Sequence, residues 1–209
     1  MDTMDERKLL LATANAGKVR ELQHMLVGVA VRSLKDVGID DLDEPGDDFV
    51  ENAVAKAMEA SRRTGLPALA DDSGLSVDAL GGAPGVFSAR FAGGHGNDAA
   101  NRALLLARLA AVREPERGAR FRCVIALADA KGLLGDRCVW THGICEGTIG
   151  FSERGAGGFG YDALFTPRGF SQTFAELSHD EKQGLSHRGK ALHAMLPTLR
   201  AYLSARRTA

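Results

Sequence analysis

Lys8-Leu9-Leu10-Leu11-Ala12-Thr13-Ala14, followed by Asn15-Ala16-Gly17-Lys18, decides the fold class. A short apolar run bounded by polar residues reads as a strand buried on both faces. From Gly17 the apolar positions Val19, Leu22, Met25 and Leu26 recur at helical spacing, so Thr13-Ala14-Asn15-Ala16 joins a strand to a helix N-terminus. Outward from this unit, Val29 to Leu34 reads as a second strand, followed by an acidic stretch through Asp40, Asp41, Asp43, Glu44, Asp47 and Asp48. Apolar pairs at Phe49/Val50, Ala53/Val54 and Ala57/Met58 predict a helix that begins at Asp48 and stops at Gly65, with Pro67 beyond it. Ala68 to Ala70 reads as a short buried strand that ends at Asp71-Asp72-Ser73-Gly74, with Leu75 to Leu80 extended behind it. A helix over Asp98 to Val112 follows. Strands over Phe121 to Asp129 and Arg137 to Ile149 flank the turn residues Asp129-Ala130-Lys131-Gly132 and predict an antiparallel hairpin. A short strand at Ala163 to Phe165, a capping box at Ser178 and Glu181, and a last helix through Leu192, Leu196, Leu199 and Leu203 complete the chain. The alternation predicts one α/β domain over residues 1–209, a mixed central sheet flanked by helices, with two lobes sharing one chain fold left open.

At 209 residues a compact chain hides roughly 70% of its unfolded surface. With 44% hydrophobic and 25% charged residues the composition is that of a soluble globular protein and excludes a disordered or collagen-like chain. The 26 basic and 27 acidic residues sum to −1, so no global field draws the protein to nucleic acid or to an anionic membrane, and any anion site must be local. Cys123, Cys138 and Cys145 are an odd set without C-x-x-C spacing, which argues against a disulfide framework and a structural zinc and predicts reduced thiols in or beside strands. The acidic start, Met1 to Lys8, and the short run behind it do not make a secretory signal, and no stretch approaches the ~18 apolar residues of a membrane span. The expected location is the cytoplasm. Glycine is the one anomaly, 25 of 209 residues, about 12% against an average near 7%.

Two familiar motifs fail on context. Gly155-Ala156-Gly157-Gly158-Phe159-Gly160 matches G-x-G-x-x-G, but Tyr161-Asp162 and a strand follow it where a dinucleotide site needs a long helix. Around Ala16-Gly17-Lys18 a P-loop would need glycine at 12 and Ser or Thr at 19, and the chain has Ala12 and Val19. Thr13, Asn15 and Lys18 nevertheless reach the first turn of a helix, whose unbonded N–H groups favour phosphate. The bland reading is that Asn15 caps the helix and Lys18 is solvated. Asp71 and Asp72 side by side repel each other. In an extended chain they point to opposite faces, so one faces a given cleft while the other bonds backbone. A carboxylate beside the Ser73 hydroxyl suits Mg²⁺, against the plainer reading of an Asx-turn. Lys182, His187 and Arg188 place cations at a helix start, which opposes the dipole unless an anion is present; otherwise they are a solvated helix end. Lys56, taken alone, reads as an exposed helix residue.

Taken in order, these residues resemble the inosine triphosphate pyrophosphatase family, the non-canonical purine NTP (XTP/dITP) pyrophosphatases. The carriers are Thr13-Ala14-Asn15-Ala16-Gly17-Lys18, matching T/S-x-N-x-x-K; Phe49-Val50-Glu51-Asn52-Ala53 with Lys56; and Ala70-Asp71-Asp72-Ser73-Gly74-Leu75. Further along they are Gly81-Gly82-Ala83-Pro84-Gly85 running to Ser88-Ala89-Arg90, Gly157-Gly158-Phe159-Gly160-Tyr161-Asp162, and Ser186-His187-Arg188-Gly189. The resemblance extends from Leu9 to about Leu203 and explains the glycine excess by close backbone approach. It implies an elongated α/β fold with a central nucleotide-binding cleft, a homodimer, and hydrolysis of dITP, ITP or XTP to the monophosphate and pyrophosphate with Mg²⁺. Residue by residue, it implies that Thr13, Ala14, Asn15, Ala16, Gly17, Lys18 and Lys56 bind the triphosphate. Asp72 would be the metal-linked catalytic carboxylate, with Ser73 contacting substrate. Phe159, Gly160, Tyr161 and Asp162 would hold base and sugar, Phe159 by stacking, and Lys182, His187 and Arg188 would line the base pocket. The second acidic metal ligand would be Asp43 or Glu44: the family commonly has Glu three residues before the glycine that is Gly46 here, where this chain has Asp43. Two other readings are a Mg²⁺-dependent phosphohydrolase of canonical pyrimidine triphosphates and a nucleotide-binding module without catalysis.

Overall fold

A computed structural model of the protein describes residues 8–94 and 96–206; the acidic start read above lies, up to residue 7, outside the described residues. Strands β1 (Leu9–Leu11), β2 (Val31–Ser33), β3 (Ala68–Val77), β4 (Gly118–Ala128), β5 (Cys138–Ile149) and β6 (Phe165–Pro167) form one sheet in the order β2-β1-β3-β4-β5-β6. β1 runs parallel to both β2 and β3, while β5 and β6 are antiparallel, so the sheet is mixed, as predicted, and its strand order is open. Helix α1 (Ala16–Met25) is the crossover between the parallel strands β1 and β2, as a parallel pair requires. Leu9, Leu10 and Leu11 are fully buried, which is why β1 reads as a continuous apolar run rather than an alternating one.

Helix α2 (Phe49–Thr64) has the predicted ends. The Asp48 carboxylate accepts from the N–H groups of Val50 and Glu51, and Gly65 closes the helix at φ 73°. Its inner face is small, with Ala53, Ala57 and Ala60 against Ala68, Ala70, Ala126 and Ala128. Helices α3 (Asp98–Arg108), α4 (His179–Leu185) and α5 (His187–Ala205) complete the set, with the Ser178/Glu181 capping box present on α4.

Several element boundaries differ from the sequence reading, two of them for identifiable reasons. The strand predicted to stop at Ala70 continues to Val77, so Asp71 and Asp72 lie within a strand rather than at its end. Lysines answer both carboxylates there: Lys18 Nζ is 2.5 Å from Asp71 Oδ1 and Lys56 Nζ is 3.6 Å from Asp72 Oδ1. The strand predicted at Ala163 to Phe165 begins instead at Phe165, because Tyr161 to Leu164 is a turn in which the Tyr161 carbonyl accepts from Leu164 and Phe165 N–H. Helix α3 stops at Arg108 rather than at Val112.

The chain forms two compact units. One contains the residues up to Asp72, Val124–His142 and the chain from Ala191; the other contains Ser73–Cys123 and Gly143–Lys190. Each has its own core. The first is the alanine-rich layer just described, with Leu10, Leu34, Ile39 and Leu42. The second is aromatic, built on Phe121, Tyr161, Phe165 and Phe174 with Leu75, Leu105 and Leu164. Cys123 and Cys145 are buried in β4 and β5 and Cys138 is half-buried at the start of β5, all three as free thiols.

Candidate active site

In the first unit, the turn after β1 prepares the start of α1. The Asn15 N–H donates to Thr13 Oγ1 at 3.3 Å, and Asn15 Oδ1 accepts from the Lys18 N–H at 3.0 Å. Asn15 is therefore a helix cap, as the plainer reading had it. Lys18 departs from that reading: its ammonium is not solvated but bonded to Asp71. Thr13 and Gly17 are buried, while Ala14, Asn15 and Ala16 face solvent at the positive end of the helix. The Asp71 carboxylate pairs with the Lys18 side chain.

Lys56 is buried, not an exposed helix residue. Its ammonium donates to Glu44 Oε1 at 2.6 Å and to the Asp71 carbonyl at 2.9 Å, and it faces Asp72 Oδ1. One ammonium thus brings carboxylates from two distant segments together. Burial raises the Asp72 carboxyl above the ordinary carboxylate range; Lys56 and Lys18 oppose that shift, and Glu44 and Asp71 reinforce it. Of the two alternatives in the acidic stretch, Glu44 reaches this cluster and Asp43 is exposed. The acidic segment is set by Gly46, whose N–H donates to Asn52 Oδ1 at 2.7 Å; a Cβ on Gly46 would run into Glu51 and Asn52.

The donor set suits a hard divalent cation. Asp72 and Glu44 offer two carboxylates, within the one or two that Mg²⁺ takes when substrate phosphates and waters complete its shell. Among the described residues no group of three or more His, Cys, Asp or Glu is placed to hold a metal by itself, so substrate phosphates and waters would have to complete the shell, and a further positive charge would relieve the mutual repulsion of Glu44, Asp71 and Asp72.

In the second unit, Asp162 organises the glycine turn. Its Oδ2 accepts from the Phe159 N–H at 2.9 Å and from Lys182 Nζ at 2.6 Å. The half-buried Phe159 ring has Lys182 Nζ 5.0 Å and Arg188 Cζ 5.5 Å from its centroid, within cation–π range. Arg188 Nη2 also donates to Ser73 Oγ at 2.9 Å, and His187 stacks on Phe121 with centroids 4.6 Å apart and planes at 9°. Lys182, His187 and Arg188 are all buried, which overturns the reading of a solvated helix end. The Tyr161 side chain does not line this cluster: its ring belongs to the aromatic core and its hydroxyl donates to the Ser88 carbonyl at 2.9 Å. Burial raises that phenol, so it stays a neutral donor. Gly158 sits at φ 72°, and a Cβ there would collide with Asp162 Oδ2. Gly158→Ala is accordingly expected to displace Asp162, with about 1 kcal/mol added by the left-handed backbone, and the check is loss of hydrogen-exchange protection at the Phe159 amide.

Three residues that no chemical argument from sequence singled out help to build these clusters. Asn52 was visible only as part of a motif. Asp98 and Arg102 have the spacing of ordinary helix charges, which carries no signal of its own.

Known proteins resemble this chain along most of its length. The chain is 48% identical over 202 residues to the dITP/XTP pyrophosphatase of Streptomyces avermitilis, covering 94% of this chain and 98% of that protein. It is 50% identical over 195 residues to the dITP/XTP pyrophosphatase of Desulforamulus reducens, covering 92% and 95%. A solved structure of a HAM1 protein from Coxiella burnetii superposes with a TM-score of 0.82 at 41% identity, covering 93% of this chain and 98% of that one. The model of the Ham1 family matches residues 9–198. Since that match takes in β1, the acidic segment, both carboxylates of β3 and the Phe159 turn, the chain belongs to the Ham1 family.

Proposed function

We propose that this chain hydrolyses the non-canonical purine nucleoside triphosphates dITP, ITP and XTP to the monophosphate and pyrophosphate, removing them from the nucleotide pool. The observation that carries the reading is the buried Lys56 ammonium shared by Glu44 and Asp72, in a chain about half identical to proteins named dITP/XTP pyrophosphatases. Cleavage of a phosphoanhydride needs charge neutralisation and in-line positioning more than covalent catalysis. Lys56, Lys18 and the N-terminus of α1 supply positive charge to the triphosphate. Asp72 and Glu44 would hold Mg²⁺, which when bound supplies further charge neutralisation and polarises the phosphoryl oxygens. The Asp72 carboxylate orients the attacking water and accepts its proton. Phe159 stacks on the purine, with Gly160 and Asp162 shaping the turn around base and sugar. Donors on Lys182, His187 and Arg188 meet a purine O6, whereas the adenine amino group would face them donor to donor and leave buried donors unpaired.

The two units act in this reading as one catalytic domain, in a cytoplasmic homodimer. Free thiols at Cys123, Cys138 and Cys145 support the compartment. Trp140 and Ile144, exposed large apolar residues of β5, support the assembly. Among the described residues no helix is long and apolar enough to cross a membrane, and the net charge of −1 supports a small-molecule partner rather than nucleic acid.

The test is pyrophosphate release from dITP, XTP, ATP, GTP and dTTP, with Mg²⁺ and with EDTA. Rates on dITP and XTP are expected to exceed those on ATP by on the order of 10²-fold or more and to vanish in EDTA. Equal rates on all five would defeat the selectivity, and turnover undiminished by EDTA would defeat the metal assignment.

A further inference from the structure

Phe159 stands in a segment with glycine at positions 155, 157, 158 and 160, the kind of backbone with the most conformational freedom to lose. Yet its backbone is held at three polar groups besides the Phe159 carbonyl, which accepts from the Asp162 N–H. The Phe159 N–H donates to Asp162 Oδ2, the Gly160 N–H donates to Asp98 Oδ2 at 2.7 Å, and the Gly160 carbonyl accepts from Arg102 Nη1 at 2.9 Å. Asp98 and Arg102 are one turn apart on α3, so both reach the same residue from one helix face. The guanidinium is held in turn by Glu153, whose Oε1 is 3.0 Å from Arg102 Nε. A carboxylate on the N–H and a guanidinium on the carbonyl of Gly160 resist rotation of that residue from both sides, and each is a charge-assisted bond, about twice as strong as a neutral one. Gly160 itself sits at φ 59° with open space where a Cβ would go, so glycine is required there for its backbone conformation.

We propose that Asp98 and Arg102 are positioning residues that fix the Phe159 ring in its purine-stacking orientation before substrate arrives, so that this pair on α3 governs affinity for the base and leaves the chemistry at the phosphates alone. The proposal rests on the assignment of Phe159 as the stacking residue. Ordering the turn in advance removes part of the conformational cost of binding the base, and that part is absent for a ligand that has no base.

The experiment measures steady-state dITP hydrolysis and competitive inhibition by inorganic tripolyphosphate in Asp98→Ala, Asp98→Asn, Arg102→Gln and Phe159→Ala. Asp98→Ala and Arg102→Gln should each raise KM for dITP about tenfold, with kcat within about twofold of the parent. The inhibition constant of tripolyphosphate should not move. Asp98→Asn, whose amide oxygen can still accept from the Gly160 N–H, should recover most of the loss. If Asp98→Ala does not fold, Arg102→Gln and Asp98→Asn decide by the same split. An unchanged KM in the folded α3 variants, or a parallel rise in KM and in the tripolyphosphate constant, overturns the proposal. Phe159→Ala separates the levels: if it raises KM while the α3 variants do not, only the positioning role fails, and if it leaves KM unchanged, the stacking assignment fails and the proposal with it.

Discussion

Asp72→Asn lowers dITP turnover by on the order of 10²–10⁴-fold and leaves the melting temperature equal to the parent's or higher. The first half follows from the role proposed for Asp72: an amide has the shape of the carboxylate but neither takes a proton from water nor offers the charge that suits a cation. The second half follows from the electrostatics. Burial, with Glu44 and Asp71 adding to it, raises the Asp72 carboxyl above its ordinary value despite Lys56 and Lys18. An acid raised in the folded state is one whose ionised form the fold disfavours, so at neutral pH its charge subtracts from stability. That penalty disappears as pH falls from the raised value through the ordinary carboxylate value. A neutral residue of the same size removes it at every pH, while Glu44 and the Asp71 carbonyl still accept from Lys56. Rate and thermal unfolding together therefore distinguish a catalytic carboxylate from a structural one. Turnover lost together with several degrees of melting temperature would make Asp72 a structural partner of Lys56, and turnover retained would remove it from the chemistry altogether.

What could be read from the sequence is what local physics writes locally. Helix α2 was visible from end to end because Asp48 at its start and Gly65 at its close are interactions within a turn or two, and the Ser178–Glu181 box was visible for the same reason. Strand β3 was cut short because two adjacent aspartates look like a strand end until their cations are known, and those cations come from α1 and α2, more than a dozen residues away. Lys56 illustrates the same limit within the site. A lysine on a helix reads as exposed, and only the fold places its ammonium between Glu44 and the β3 backbone. The choice between Asp43 and Glu44 could not be made from spacing, since it depends on which side chain the irregular segment before Gly46 turns inward. Tyr161 belonged to a recognisable run, but neighbours in a turn point in different directions, and its ring joined the core while Phe159 did not.

Arg117→Met should be the most destabilising of these substitutions, by about 3 kcal/mol or more from buried carbonyls that lose the guanidinium donors, or about 6–12 °C in melting temperature for a chain of this size. Arginine is among the residues almost never fully buried unless paired. In the structure Arg117 is 1% exposed. Its Nε donates to the Ile149 carbonyl at 2.8 Å, Nη1 to Leu109 at 2.8 Å and Val112 at 3.2 Å, and Nη2 to Gly150 at 2.9 Å. The guanidinium also lies 4.3 Å from the Phe151 ring centroid. These bonds join the end of α3, the segment entering β4 and the end of β5, where the Ile149 N–H returns a bond to the Arg117 carbonyl. Burial lowers the Arg117 pKa, but arginine remains protonated in proteins, so all its donors stay available. Methionine would fill much of the volume and supply no donor. Lysine would keep the charge yet place a single ammonium where a planar fork reaches carbonyls in several directions, so Arg117→Lys should fall between the parent and Arg117→Met. Thermal unfolding of the three proteins checks the order, and a melting temperature for Arg117→Met within about 2 °C of the parent would mean that water or a backbone shift satisfies the carbonyls once the guanidinium is gone.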